Sequence, residues 1–135
     1  MSAPVPHSRL LAVDDDVSSA ELVVRLAERC RYEAFATSDS RGVMNLVSAL
    51  NPEVLAIDVE MPNINAYDLM TLLASAEFKG GIVVISGQDV PVLESVRAHG
   101  QKLGLNEPHI MRKPIETRAL REILIEYATR ERRAA

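Results

Sequence analysis

The segment Leu10-Leu-Ala-Val-Asp-Asp-Asp16 places a short apolar run directly before three consecutive aspartates. An apolar run without polar alternation is typical of a central strand in a parallel sheet, which is buried on both faces. Similar runs occupy residues 54–57 and 82–85. The first is followed by Asp58 and the second by Ser86. Because the carboxyl ends of parallel strands meet at one edge of a sheet, we expect these polar side chains to lie close together.

The rest of the chain alternates between candidate strands and candidate helices. Further strands are predicted at residues 32–37 and 109–111, and the polar alternation of the first places it near an edge of the sheet. Four segments between strands repeat apolar residues with the i, i+3, i+4, i+7 spacing of amphipathic helices, and a fifth, less regular helix is predicted over residues 91–103. The four regular stripes start at Val23, Val43, Leu69 and Leu120. This order predicts an α/β fold, a doubly wound (βα)5 five-stranded parallel sheet with helices on both faces.

The composition is that of one ordinary globular domain. The 135 residues are 47% apolar and 25% charged, which excludes disordered and disulfide-rich classes. We expect residues 1–8 to form a disordered lead-in, 9–130 the domain and 131–135 a C-terminal tail. The net charge of −4 gives no reason to expect direct binding to nucleic acid or a membrane. The single cysteine, Cys30, favours a cytoplasmic location and is expected to be a small core residue.

The aspartates at the strand ends predict a metal site. Asp14, Asp15 and Asp58 would repel one another at short range unless a cation neutralises them. Ligands that are all oxygen favour Mg²⁺, or Mn²⁺, over zinc. Asp16 is expected to be a loop or helix-cap residue rather than a ligand.

The same edge of the sheet carries the groups that phosphoryl transfer needs. The carboxylate of Asp58 could attack phosphorus in line and form an acyl phosphate. The ammonium of Lys113 and the metal would offset the charge on the equatorial oxygens, and the hydroxyl of Ser86 could donate a hydrogen bond to one of them.

Four stretches of sequence carry a family resemblance. They are Leu-Ala-Val-Asp14-Asp15-Asp16, Ala-Ile-Asp58-Val-Glu-Met-Pro62, Val-Val-Ile-Ser86-Gly87 and Met-Arg-Lys113-Pro114. Over residues 9–127 the chain resembles a response-regulator receiver domain of two-component signalling, similar to the chemotaxis regulators. The resemblance implies a flavodoxin-like receiver fold and a phosphoacceptor switch in a phosphorelay rather than a turnover enzyme.

The resemblance also implies partners. A sensor histidine kinase or a histidine phosphotransfer protein would donate the phosphoryl group. A downstream effector protein or a second copy of the chain would read the change, at a face made by the fourth and fifth helices and the fifth strand.

The resemblance assigns a role to each residue of the metal site. It makes Asp58 the phosphoacceptor and has Asp15 bind Mg²⁺ directly. It has Asp14 bind the metal through water or help to position it. It has Glu60 supply a backbone carbonyl to the metal, and we expect the Glu60 side chain to tune the lifetime of the phosphoryl group.

The resemblance assigns the phosphoryl contacts to two further residues. Ser86 would sense the phosphoryl group and Lys113 would bind it. The bond between Lys113 and Pro114 is similar to one that is usually cis in the family, an isomer available mainly to bonds that precede proline.

The chain departs from the family pattern in two places. Met61-Pro-Asn-Ile-Asn-Ala66 ends in alanine where the family usually has glycine, so Ala66 is strained or the loop differs if that position needs a positive φ. Ile110 stands where many receivers carry Tyr or Phe, so an aromatic swing at this position is not the output signal. The segment from Ser86 to Lys113 spans 27 positions. It is similar to the corresponding segment of receivers attached to EAL-type cyclic-di-GMP phosphodiesterases.

Two other functions fit part of the pattern. A small Mg²⁺-dependent phosphatase with an aspartyl nucleophile in Asp-x-Asp would use Asp14, together with a serine and a lysine at strand ends. The chain is short for that class, and the loop after Asp58 has no purpose in it. A pseudo-receiver scaffold, which binds partners without being phosphorylated, would be compatible with Ala66 and Ile110.

Overall fold

The computed structural model describes residues 8–61, 65–87 and 90–134, with the backbone alone for 130–134. Residues 1–7 of the expected lead-in, Pro62 of the quoted sequence and Ala135 lie outside the described residues.

Five strands alternate with five α-helices, as the sequence predicts. The strands are β1 (Arg9–Val13), β2 (Glu33–Thr37), β3 (Val54–Asp58), β4 (Gly81–Ser86) and β5 (His109–Arg112). The helices are α1 (Val17–Arg29), α2 (Val43–Leu50), α3 (Ala66–Ser75), α4 (Val90–Lys102) and α5 (Thr117–Ala134), and a 3-10 turn at Ser40–Gly42 precedes α2. The backbone of α5 thus continues into the segment expected to be a tail. None of the helices in the described ranges has the length and hydrophobicity that a bilayer-spanning segment requires.

The strands form one parallel sheet in the order β2-β1-β3-β4-β5, which confirms the predicted doubly wound fold. β3 and β4 are buried throughout, as expected for continuous apolar runs in a central position. β2 lies at an edge, which confirms the prediction from its alternating sequence. The winding reverses between β1 and β3, so a crevice opens beyond their carboxyl ends.

A hydrophobic core lies on each face of the sheet. Alternate residues of β1 face opposite cores, because successive side chains of a strand point to opposite faces. Leu11 and Val13 pack with α2, α3 and α4, whereas Leu10 and Ala12 pack with α1 and α5. Cys30, expected in the core, is half-buried instead, because it is the residue that ends α1.

The amino ends of the strands are fastened to one another. The guanidinium of Arg9 lies 2.7 Å from the carboxylate of Glu33 on the neighbouring strand. The backbone N–H of Arg9 donates to the carboxylate of Glu53, and the carbonyl of Glu53 accepts from the N–H of Gly81 at 2.7 Å. These contacts join β1, β2, β3 and β4 at the edge opposite the crevice.

Helix α5 is held on the sheet by two tyrosines. The ring of Tyr127 packs so closely on Gly81 that a Cβ there would clash with the ring. The hydroxyl of Tyr127 lies 2.8 Å from Nδ1 of His109. The buried hydroxyl of Tyr32 donates to the carbonyl of Leu124 in α5 at 2.6 Å.

Candidate functional site

The polar residues predicted to converge lie at the carboxyl edge of the sheet. Asp14 directly follows β1, Asp58 is the last residue of β3, Ser86 is the last residue of β4, and Lys113 directly follows β5. The backbone N–H of Lys113 donates to the carbonyl of Ser86 at 2.8 Å, which fixes the end of β5 against the end of β4. Ser86 is fully buried, and Asp14 and Asp58 are nearly so.

Three of the aspartates form a cluster of metal-ligand type. One carboxylate oxygen each from Asp14, Asp15 and Asp58 lies within 4.8 Å of the others. Asp15 is exposed, so the cluster opens to solvent on its side. An all-oxygen donor set of this kind fits a hard divalent cation, and Mg²⁺ commonly keeps several water ligands beside one or two protein carboxylates.

Burial and charge repulsion make Asp14 hard to ionise. Its pKa is raised from 3.8 to about 6, chiefly by burial and further by the negative charge of Asp58. The hydrogen bond from the N–H of Asp16 acts in the opposite direction but does not cancel these effects. A cation at the cluster would remove the repulsion, which is the electrostatic argument for a metal here.

Lys113 already supplies one positive charge to the cluster. Its ammonium lies 3.4 Å from Oδ2 of Asp14 and 3.5 Å from Oδ2 of Asp58. Partial burial disfavours the ammonium, but the two carboxylates outweigh burial and the pKa of Lys113 is raised. The lysine is therefore charged, and it faces both buried aspartates at once.

Backbone N–H groups hold one oxygen of each buried carboxylate. The N–H of Asp16 donates to Oδ1 of Asp14 at 2.9 Å, and the N–H of Glu60 donates to Oδ1 of Asp58 at 3.0 Å. Sequence reasoning missed both donors. The signal was present, because an aspartate that accepts from the residue two positions later is a common local turn.

Asp16 caps helix α1 and is not part of the cluster. Its carboxylate accepts hydrogen bonds from the N–H groups of Ser18 and Ser19, and the Ser19 hydroxyl also donates to it. The bonds from Ser19 and Ser18 lower the pKa of Asp16. The structure confirms the prediction that Asp16 caps a helix. That Asp16 is not a metal ligand stays a prediction.

Glu60 lies beside the mouth of the cluster. Its side chain is exposed, and Oε2 lies 3.8 Å from where a Cβ on Gly87 would stand, next to Ser86. The contribution of the Glu60 backbone carbonyl to a metal stays a prediction.

The two departures from the family pattern cause no strain in the backbone. Ala66 is the first residue of α3 and is buried, and the positive-φ residues of the described chain do not include it. Asn65 caps this helix by accepting from the N–H of Asp68 at 2.9 Å, and position 66 does not need the backbone freedom of glycine. Ile110 packs against the core beneath α4. The peptide bond that precedes Pro114 is cis.

Comparisons with known proteins agree with this arrangement. A family described as "Response regulator receiver domain" matches residues 10–125. The chain is 24% identical over 127 residues to the alkaline phosphatase synthesis transcriptional regulatory protein SphR of Synechococcus elongatus, covering 87% of this chain and 48% of SphR. It is 26% identical over 99 residues to the CAI-1 autoinducer sensor kinase/phosphatase CqsS of Vibrio cholerae, covering 73% of this chain and 14% of CqsS.

A solved structure shares the fold. The chemotaxis response regulator CheY4 of Vibrio cholerae superposes with a TM-score of 0.74 at 20% identity, covering 90% of this chain and 99% of that chain. The curated relatives named above are longer, and this chain spans between 14% and 48% of their length.

Proposed function

Because the chain belongs to the response regulator receiver domain family, we propose that Asp58 accepts a phosphoryl group from the phosphohistidine of a sensor histidine kinase or a histidine phosphotransfer protein. The observation that carries this proposal is the placement of the Asp58 carboxylate. It is buried, lies within 4.8 Å of two other carboxylates and faces the Lys113 ammonium at 3.5 Å. Receiver domains are signalling modules, and in this proposal the chain is a switch rather than a turnover enzyme.

The transfer step exchanges one bond for another at phosphorus. An oxygen of Asp58 attacks in line, the phosphorus–nitrogen bond of the phosphohistidine breaks, and an oxygen–phosphorus bond forms. The imidazole leaves with the bonding electron pair and takes up a proton from solvent. The product is an acyl phosphate on Asp58.

Mg²⁺ is the cation we propose for the cluster. The carboxylates of Asp14, Asp15 and Asp58 and the backbone carbonyl of Glu60 would hold it. When bound, it supplies positive charge beside the oxygens of the transferred group. Its charge would also favour the ionised form of Asp14, the buried carboxylate whose pKa the fold raises.

Ser86 and Lys113 receive the transferred group. The Lys113 ammonium, already between Asp14 and Asp58, offsets the charge that spreads over the equatorial oxygens. The Ser86 hydroxyl, at the end of β4, donates to one of those oxygens. Because Ser86 precedes α4 in the chain, this contact couples the phosphoryl group to that helix. The new negative charge shifts the equilibrium between two conformations of the domain.

The readout belongs to other molecules. A downstream effector protein would bind the face formed by α4, β5 and α5.

We further propose that residues 9–130 form the receiver unit between a lead-in and a tail, and that it works in the cytoplasm, where the free Cys30 stays reduced. The long segment between Ser86 and Lys113, which includes α4, supports kinship with receivers attached to EAL-type phosphodiesterases.

The test is the mass of the intact protein after incubation with acetyl phosphate and Mg²⁺. Wild type should gain one phosphoryl group and Asp58→Asn none. Asp39→Asn, which alters an exposed carboxylate paired with Arg41, is the matched control and should gain the group as wild type does. Omission of Mg²⁺ should abolish the gain.

Other outcomes favour the other functions. Absence of a mass gain in wild type, with metal binding confirmed by titration, would contradict the phosphoacceptor proposal and favour a scaffold. Turnover of an aryl phosphate that survives Asp58→Asn and is lost in Asp14→Asn would favour a phosphatase.

A further inference from the structure

The outer edge of β2 carries hydrogen-bonding groups that no described strand uses. β2 is the last strand of the sheet on its side. The N–H of Glu33 donates to Ser8 and the carbonyl of Thr37 accepts from Asp14, so these residues turn their backbone groups towards β1. Because the direction alternates along a strand, Ala34 and Ala36 turn theirs outward.

The edge has none of the features that usually keep exposed strands apart. Natural edge strands are commonly protected by proline, lysine, inward-pointing charges or a bulge. The sequence of β2 is Glu33-Ala-Phe-Ala-Thr37, and its register with β1 runs without interruption. Its one charged residue, Glu33, is paired with Arg9 at 2.7 Å.

A groove accompanies this edge on the side of the sheet that α1 covers. Its volume is about 340 Å³, its floor is formed by Ala34 and Ala36, and its wall includes Ala20 and Val24 of α1. Ala36 is exposed and Ala34 is half-buried, so the floor of the groove is open to solvent in part. The groove therefore offers small apolar side chains directly above the unused backbone groups.

The charges along the groove are self-complementary. Glu21 and Arg25 both line it; one helical turn apart, they pair with each other at 3.4 Å, and their side chains are still 59% and 67% exposed. A twofold axis through Phe35 would set two β2 strands antiparallel and the two α1 helices antiparallel above them. In that arrangement Glu21 of each copy faces Arg25 of the other, as an isologous interface requires.

We propose that two copies of this chain associate through the edge formed by α1 and β2. Around the axis at Phe35, Ala34 of one copy is opposite Ala36 of the other. Each of these two pairs exchanges two backbone hydrogen bonds, so four bonds join the sheets. The sheet then continues from one copy into the other, and the two grooves merge beneath the paired helices. This surface lies on the opposite edge of the sheet from β5.

The test is sedimentation of the full chain across a wide range of concentrations. Wild type should form a concentration-dependent dimer. Glu21→Arg and Arg25→Glu should each raise the dissociation constant of the dimer roughly tenfold. Each change places like charges opposite each other at two symmetry-related positions of the interface. The double variant should restore dimerisation. These exposed helix positions leave the fold intact, which circular dichroism verifies.

Two further variants compare faces of the molecule. Ala36→Lys places a charge on the groove floor and should abolish the dimer. Ile125→Lys places the same side chain on α5, where the residue is already exposed, and should not. In wild type, hydrogen exchange at the amides of Ala34 and Ala36 should slow as the concentration rises.

The opposite results would overturn the proposal. A wild type that stays monomeric at the highest concentration contradicts it. So does a dimer that Ile125→Lys disrupts and Ala36→Lys leaves unchanged, since its interface would then lie on the α4–β5–α5 face. A dimer in which the double charge swap fails to restore what the single changes remove contradicts the antiparallel register.

Discussion

The raised pKa of Asp14 predicts how the stability of the metal-free protein depends on pH. The pKa is 3.8 without the fold and about 6 within it, so the folded chain holds the Asp14 proton more tightly than the unfolded chain. Below the lower value Asp14 is protonated in both the folded and the unfolded state, so it adds no pH dependence to the free energy of unfolding. As the pH rises from 3.8 to about 6, the unfolded state gains by releasing the proton first, and the free energy of unfolding falls.

The size of the effect follows from the two pKa values. Their difference corresponds to about 3 kcal/mol in the free energy of unfolding, and the metal-free protein has lost this whole amount by about pH 7. Asp14→Asn carries no charge at any pH and retains an oxygen to accept from the N–H of Asp16. In the presence of a chelator the variant should therefore be more stable than wild type by up to about 3 kcal/mol at neutral pH.

The assay is urea denaturation followed by circular dichroism at several pH values. The stability gap between Asp14→Asn and wild type should grow as the pH rises through the interval, and added Mg²⁺ should narrow it by stabilising wild type alone. Asp39→Asn is a control of opposite sign. Hydrogen bonds from Arg41 lower the pKa of Asp39, so its contribution is present above the unfolded value and lost as the pH falls. A gap between Asp14→Asn and wild type that is constant with pH would contradict a raised pKa of Asp14 in the folded state.

Three further predictions use the same measurement or the phosphorylation assay. Gly42→Ala should raise the free energy of unfolding by about 0.4–1 kcal/mol, because a Cβ there meets nothing within 4 Å, whereas Gly81→Ala should lower it by about 1–3 kcal/mol through its clash with a tyrosine ring. A reversed order in urea denaturation would contradict this. Tyr32→Phe removes a buried hydrogen bond to α5 and should cost about 1 kcal/mol; an unchanged midpoint would mean that the bond contributes nothing. Glu60→Gln removes a negative charge beside the site and should speed phosphorylation by acetyl phosphate roughly fivefold at low salt, with the gain fading at high salt. A gain that is independent of salt would contradict an electrostatic cause.

The sequence predicts the fold well because its central strands are unambiguous. The apolar run that ends at Val13 and the one that ends at Ile57 each precede an aspartate, and a central parallel sheet buries both runs while it brings both acids to one edge. The limits of the elements are harder to predict. Tyr32 is a residue type that favours strands, yet its N–H donates to the carbonyl of Ala27 and closes the end of α1. Arg31 has a positive φ at this turn, a conformation that usually indicates glycine and that its residue type does not predict.

The candidate site was predictable to the level of which side chains meet. Asp14, Asp58 and Lys113 come together because strand ends define one edge of a parallel sheet. The finer arrangement was not predictable, because it depends on backbone donors. The N–H groups of Asp16 and Glu60 orient the two buried carboxylates, and a residue's letter does not report where its own amide points.

The fastening of the strands at their amino ends has a consequence for how the molecule moves. The contacts of Arg9 and Glu53 tie neighbouring strands at one end, whereas at the opposite end the Lys113 ammonium offsets only part of the repulsion between Asp14 and Asp58. Thermal opening should therefore begin at the acidic end and progress down the strands. Amide exchange measured along β3 should consequently be slowest near Val54 and fastest near Asp58, a gradient that places the deformable half of the domain where its chemistry lies.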